Sequence, residues 1–262
     1  MAQNIILVTT DFTKQADNAL QHAFILKEKI NGRIVLLHIV SSDEELESAH
    51  QKLQKVIEET EKNYGIRISE IIRKGNIFDD ISRVASEIGA KFVIMGTHGV
   101  SGLQHIFGSK ALKVISTSKV PFISITKEPT RNGFNKIVMP FNLNKEPREL
   151  LTLASDIAKS FDSEMHIIGY GANKSSRGKY LEMITNYLES SKLKYIIEQK
   201  ESSSNFDAVV LEYAKGVGAD LISISNVQEN VFNLFGGFEQ NVIANKQGIP
   251  VMVVNKNSFG IK

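Results

Sequence analysis

Apolar residues recur along the chain in two alternating rhythms. Residues 5–8 (Ile-Ile-Leu-Val) form a short apolar run closed by Thr9-Thr10-Asp11, and behind it Ala16, Ala19, Leu20, Ala23, Phe24 and Ile30 return at helical spacing until Asn31-Gly32. Residues 34–40 make a second run, apolar enough for a strand covered on both faces. A charged stretch from Asp43 to about Asn63 keeps Leu46, Ala49, Leu53, Val56 and Ile57 on one stripe, with Gly65 placed as its cap. Residues 66–72 read as a third strand and residues 77–88 as a helix. Residues 92–95 then give a fourth strand and 120–125 a fifth. Strands alternating with helices predict a parallel α/β sheet joined by right-handed crossovers.

The order then repeats. After the aperiodic, turn-rich residues 126–133, the run 136–141 parallels the first strand and 164–169 the second. Helical spacing follows in Leu150, Leu151, Ala154 and Ile157, again over residues 180–188, and again in Val209, Val210 and Ala214, with a third strand at 194–198. Gly218-Ala-Asp-Leu-Ile answers Gly89-Ala-Lys-Phe-Val, and Ile249-Pro-Val-Met answers Val120-Pro-Phe-Ile. Two copies of one unit explain the 262 residues better than one large domain. The expected domains are residues 1–127 and 135–256.

Composition narrows the function. The chain is 42% hydrophobic and 23% charged, and its net charge of +2 is no basic field for nucleic acid. With no cysteine, disulfides, thiolate catalysis and cysteine-held metals are excluded. The start lacks a basic segment followed by a long apolar one, and no apolar stretch approaches the ~20 residues that span a bilayer. A cytoplasmic protein without membrane contact is expected.

The candidate chemistry gathers behind the fourth strand, in Gly96-Thr-His-Gly99, Gly102 and Gly108-Ser109. Glycine lets a ligand approach bare backbone, and the first amides of a helix lack partners, so the segment suits an anion such as phosphate. It equally suits a strand-to-helix connection that binds nothing. His98 and His105 flank the loop, where His98 is expected as a surface histidine, and His22, His38, His50 and His166 are scattered and show no ligand spacing. Ser109 lacks a nucleophile elbow, and neither half holds the lysine-bearing P-loop of fast ATP hydrolysis. No catalytic residue and no metal site is expected.

These residues resemble the universal stress protein family in its tandem form. Gly96-Thr-His-Gly99 followed by Gly108-Ser109 is similar to the family's ATP-binding signature, supported by Asp11, by His38-Ile39-Val40 and by Gly75. The resemblance implies two Rossmann-like five-stranded parallel sheets of order 3-2-1-4-5, related to the adenine nucleotide alpha-hydrolase fold. It implies ATP, with or without Mg²⁺, across the ends of strands one and four. Asp11 would take ribose or adenine, with Thr9 and Thr10 giving backbone contacts and Ile39 meeting adenine. Met95 and Gly96 would line the ribose side, and Gly99, Gly108 and Ser109 the phosphates. Family members pair through the fifth strand, which implies contact between the two halves, and a second interface would give a homodimer. A protein partner of unknown identity is expected to read the nucleotide state.

Two departures qualify the resemblance. Gly99 and Gly108 enclose eight residues where the family pattern has nine. In the second half Asn142 replaces the counterpart of Asp11, and Ser225 and Gln228 replace those of Gly96 and Gly99, leaving Gly236-Gly237. One nucleotide site per chain at most is therefore predicted, in a stress-response or signalling module with little or no hydrolysis. The alternative is an interaction protein that works through dimerised surfaces without nucleotide. Phe232, Phe235 and Phe238 form a cluster that either packs over the degenerate site or faces a partner.

Overall fold

The computed structural model describes residues 4–97, 115, 118–129, 133–142, 148–170, 174–200, 205–226 and 237–255. Two compact units divide the chain, Met1–Thr130 with Asn257–Lys262, and Arg131–Lys256.

In the first unit β1 (Asn4–Thr9), α1 (Lys14–Ile30), β2 (Gly32–Val40), α2 (Leu46–Tyr64), β3 (Ile68–Lys74), α3 (Ile77–Glu87), β4 (Ala90–Gly96) and β5 (Phe122–Ile125) follow in turn. The strands pair in parallel in the order β3-β2-β1-β4-β5. Ile6, Leu7 and Val8 are successive and all fully buried, so both faces of β1 are covered, as a central parallel strand requires. The edge strand β3 buries only Ile68, and Arg73 and Lys74 pair with Ile39 and Val40 through backbone alone. It therefore runs two residues beyond the expected 66–72, because a backbone ladder is indifferent to side-chain polarity.

α1 opens at Thr13, whose hydroxyl accepts from the Ala16 N–H, and closes on Asn31 at φ 50. Gly32 already begins β2, so the left-handed cap falls on Asn31. Its buried face also grips the chain beyond β5. Asn18 donates to the Thr126 carbonyl at 3.5 Å, and His22 donates from Nε2 to that of Lys127 at 3.1 Å. Burial pushes the His22 imidazole down to about 4.

The second unit repeats the plan with β6 (Lys136–Asn142), α4 (Arg148–Phe161), β7 (Glu164–Tyr170), α5 (Lys174–Ser190), β8 (Lys194–Gln199), α6 (Phe206–Val217), β9 (Leu221–Asn226), α7 (Gly237–Ile243) and β10 (Val251–Asn255). Its parallel order is β8-β7-β6-β9-β10. α5 starts six residues before the expected 180–188, in a polar stretch whose side chains carry no periodicity. The helix expected behind Ser109 lies outside the described residues except for Ile115, which is helical and buried. Among the described residues no helix is long and apolar enough to cross a membrane.

Candidate functional site

In the first unit β1 and β4 are neighbours, while the chain leaves β1 for β2 on the other side. The carboxyl ends of the two strands therefore flank the point where strand order reverses, the place at which open α/β sheets leave a crevice. A cleft of about 450 Å³ opens there. Thr9, Thr10 and Asp11 line it from the end of β1, Leu37, His38 and Ile39 from β2, and Met95 and Gly96 from β4. Ala16 of α1 and Ile77 and Ile81 of α3 complete it.

The turn that carries Asp11 is held by side chains. The β1–β2 ladder ends where the Thr10 N–H donates to the Leu37 carbonyl at 2.9 Å. The Thr10 carbonyl then accepts from His38 Nδ1 at 2.8 Å. Phe12 adopts φ 62, and its N–H donates to Thr10 Oγ1 at 3.0 Å. A left-handed backbone at a bulky residue costs about 1–2 kcal/mol. It is offset here by the His38 ring, 4.5 Å from that of Phe12, and by the Lys52 ammonium, 5.6 Å from the Phe12 centroid. Asp11 uses Oδ1 to accept from the Thr13 N–H at 3.1 Å and the Thr13 hydroxyl at 2.5 Å. Its carboxylate stays exposed at the cleft.

On the β4 side the glycine has a packing reason. A Cβ on Gly96 would stand 2.2 Å from the Gln15 carbonyl oxygen, so β4 ends directly against the first turn of α1. Thr97 beyond it is buried, and its hydroxyl shares a hydrogen bond of 3.0 Å with Ser124 on β5. Across the cleft, the start of α3 is fixed by Asp80, whose Oδ2 accepts from the Asn76 N–H at 2.7 Å. That carboxylate lies where a Cβ on Gly75 would be, 2.0 Å away, so side chain and glycine fit together.

Six of the residues singled out in the sequence, Thr9, Thr10, Asp11, Ile39, Met95 and Gly96, thus border one cleft. Gly99, Gly108 and Ser109 lie outside the described residues, as do Gly102, His98 and His105. Sequence reasoning missed Phe12 and the part played by His38, and it placed Ile77 and Ile81 only within a helix over residues 77–88. Ile81 is buried, but Ile77 is 38% exposed at the rim. Phe12 had no signal, since a phenylalanine behind Thr-Thr-Asp reads as core. Among the described residues no group of three or more metal-ligating side chains occurs.

The second unit sets rings at the equivalent positions. Alignment of β6 and β7 on β1 and β2 sets Phe141 at the position of Thr10, Asn142 at that of Asp11 and Tyr170 at that of Ile39. Phe206, first in α6, answers Ile77, first in α3. The Tyr170 and Phe206 rings lie 3.9 Å apart, and Phe238 stacks on Phe206 at 5.8 Å. Asn142 hydrogen-bonds the Tyr170 phenol, whose pKa is raised, first by burial and then by Glu239. Of the expected phenylalanine cluster, Phe238 packs on Phe206, while Phe232 and Phe235 lie outside the described residues, as does Gln228.

The Universal stress protein family model matches residues 3–125, which contain β1 to β5 and the whole described cleft. The first unit carries a universal stress protein domain. Its curated relatives include a universal stress protein of Methanocaldococcus jannaschii, 27% identical over 154 residues that span 47% of this chain and 94% of the relative. Universal stress protein G of Escherichia coli O157:H7 is 26% identical over 143 residues, 48% of this chain and 99% of that protein. Both relatives are about one unit long. A crystal structure of a universal stress protein from Archaeoglobus fulgidus DSM 4304 covers 97% of this chain and 99% of its own, with a TM-score of 0.81 at 20% identity. That likeness extends the universal stress protein fold to both halves.

Proposed function

We propose that the first unit binds an adenine nucleotide, ATP, in the cleft between β1 and β4, and that the chain is a stress-response or signalling module with little or no hydrolysis. The observation that carries this reading is the convergence of Asp11, Thr9, Thr10, Ile39, Met95 and Gly96 on one crevice at the strand-order reversal of a universal stress protein domain. Chemically the lining fits. Ile39, Ile77, Ile81 and Leu37 offer an apolar bed for a base, and the exposed Asp11 carboxylate accepts from ribose hydroxyls. In a parallel strand alternate residues turn both backbone groups to the same neighbour. The Leu37 carbonyl faces β1, so Ile39 turns its N–H and carbonyl the same way, beyond the last β1 residue. The phosphates belong to the amides of Gly99, Gly108 and Ser109 by the family signature, together with any Mg²⁺.

The second unit binds no nucleotide in this reading, because Tyr170 and Phe206 occupy the equivalent ground. The whole chain presents its surfaces, as monomer or homodimer, to a protein partner according to what the first unit holds. Mass spectrometry of small molecules released on denaturing the purified protein tests the proposal. Adenine nucleotide at close to one equivalent per chain is expected, lost in Asp11→Ala. Release of none, together with no uptake of added ATP, overturns it.

A further inference from the structure

We propose that His38 is the positioning residue of the cleft, setting the Thr10–Asp11 turn through its Nδ1–H. The inference deepens the nucleotide reading and rests on it for the affinity arm of the test only. Four observations meet at this imidazole. A carbonyl oxygen can only accept, so the 2.8 Å contact between His38 Nδ1 and the Thr10 carbonyl places a proton on Nδ1. It falls just past the last backbone bond of the β1–β2 ladder, from the Thr10 N–H to Leu37, so a side chain continues the pairing where the strand stops. The same ring lies against Phe12, the residue with φ 62 that directs the chain from Asp11 into Thr13. His38 itself borders the cleft.

The turn needs this outside support. Beyond the Thr10 N–H bond to Leu37, the Phe12 N–H is taken by Thr10 Oγ1 and the Thr13 N–H by Asp11 Oδ1, so these two amides are satisfied within residues 10–13 and tie the turn neither to β2 nor to β4. From outside, His38 of β2 contributes a hydrogen bond and a ring face, and Lys52 of α2 lies over the other partner of that ring pair. Loss of the Nδ1 donor leaves the Thr10 carbonyl unpaired and removes the restraint that opposes relaxation of Phe12 from the left-handed region. Asp11, one residue away, then loses its fixed place. His38 thus acts through the turn rather than by touching the nucleotide.

Histidine combines a donor and a flat ring, and two variants separate them. His38→Asn retains an N–H close to the position of Nδ1 without the ring. His38→Phe retains the ring without the donor. Each full-length variant is titrated with ATP by calorimetry, and exchange of the Phe12 and Thr13 amides is followed by NMR. We expect His38→Phe to weaken ATP about tenfold and to speed both amides by a similar factor, the value of one lost hydrogen bond. His38→Asn is expected to restore both readouts to within about threefold of wild type. A merely space-filling role would reverse that ranking. Should His38→Phe not fold, His38→Met removes the donor with less bulk and carries the same expectations. Unchanged exchange in the donorless variant, or a His38→Asn protein as impaired as His38→Phe, overturns the proposal. If wild type takes up no ATP, the nucleotide reading fails while the exchange arm still decides the role of His38.

Discussion

Gly96 and Gln15 meet backbone to backbone: a Cβ on the glycine would stand 2.2 Å from the Gln15 carbonyl oxygen, 2.3 Å from its carbon and 2.7 Å from the Ala16 nitrogen. No rotamer relieves contacts made to backbone. Gly96→Ala therefore pushes β4 away from the first turn of α1 and costs about 1–3 kcal/mol, the usual scale of overpacking. Urea unfolding followed by circular dichroism, with amide exchange in β1 and β4, measures it. An alanine variant as stable as wild type would show that the glycine serves a ligand alone.

His22 makes the first unit sensitive to acid. Burial holds its pKa at about 4 against 6.5 for the free side chain, so between those values the unfolded chain carries a proton that the folded unit refuses. Stability is full above pH 6.5 and declines as the pH falls, by about 3 kcal/mol on reaching pH 4. In His22→Gln the amide keeps a donor for the Lys127 carbonyl and carries no titrating group. Unfolding free energies measured from pH 7 to pH 4 should lose this component in the glutamine variant. An identical pH profile for both proteins contradicts the assignment.

Phe206 anchors a ring stack in the second unit, with Tyr170 at 3.9 Å and Phe238 at 5.8 Å. It is 6% exposed, and Phe206→Ala should cost about 3 kcal/mol, at the lower end for buried aromatics. Five of the six tyrosines, Tyr170, Tyr180, Tyr187, Tyr195 and Tyr213, lie in this unit and the chain has no tryptophan, so tyrosine fluorescence follows its unfolding. The midpoint should fall while ATP uptake by the first unit is unaltered. Unchanged stability would mean that the rings merely touch.

The alternation of apolar runs and helical stripes was enough to read the parallel strands and the repeat, because central strands such as Ile6-Leu7-Val8 must be apolar on both faces. Edges were less legible. Arg73 and Lys74 belong to β3 through backbone pairing, which leaves no mark on side-chain polarity. The site divided in the same way. Asp11, Ile39 and Gly96 stand at strand ends whose position follows from the strands themselves. Phe12 and the role of His38 were hidden, since a left-handed phenylalanine and a side chain continuing a backbone ladder are set by three-dimensional neighbours. Gly96 was legible for a partial reason: its sequence context points to a ligand, whereas its geometry is that of a helix approach.

Calorimetric titration of ATP into the nucleotide-free full-length chain, beside Asp11→Ala, tests the central claim most directly. One saturable site per chain is predicted for wild type, weakened about tenfold or more when the exposed carboxylate is removed, the scale of a charge-assisted hydrogen bond. Absence of saturable heat, or equal affinity in the two proteins, would contradict a nucleotide site in the cleft between β1 and β4.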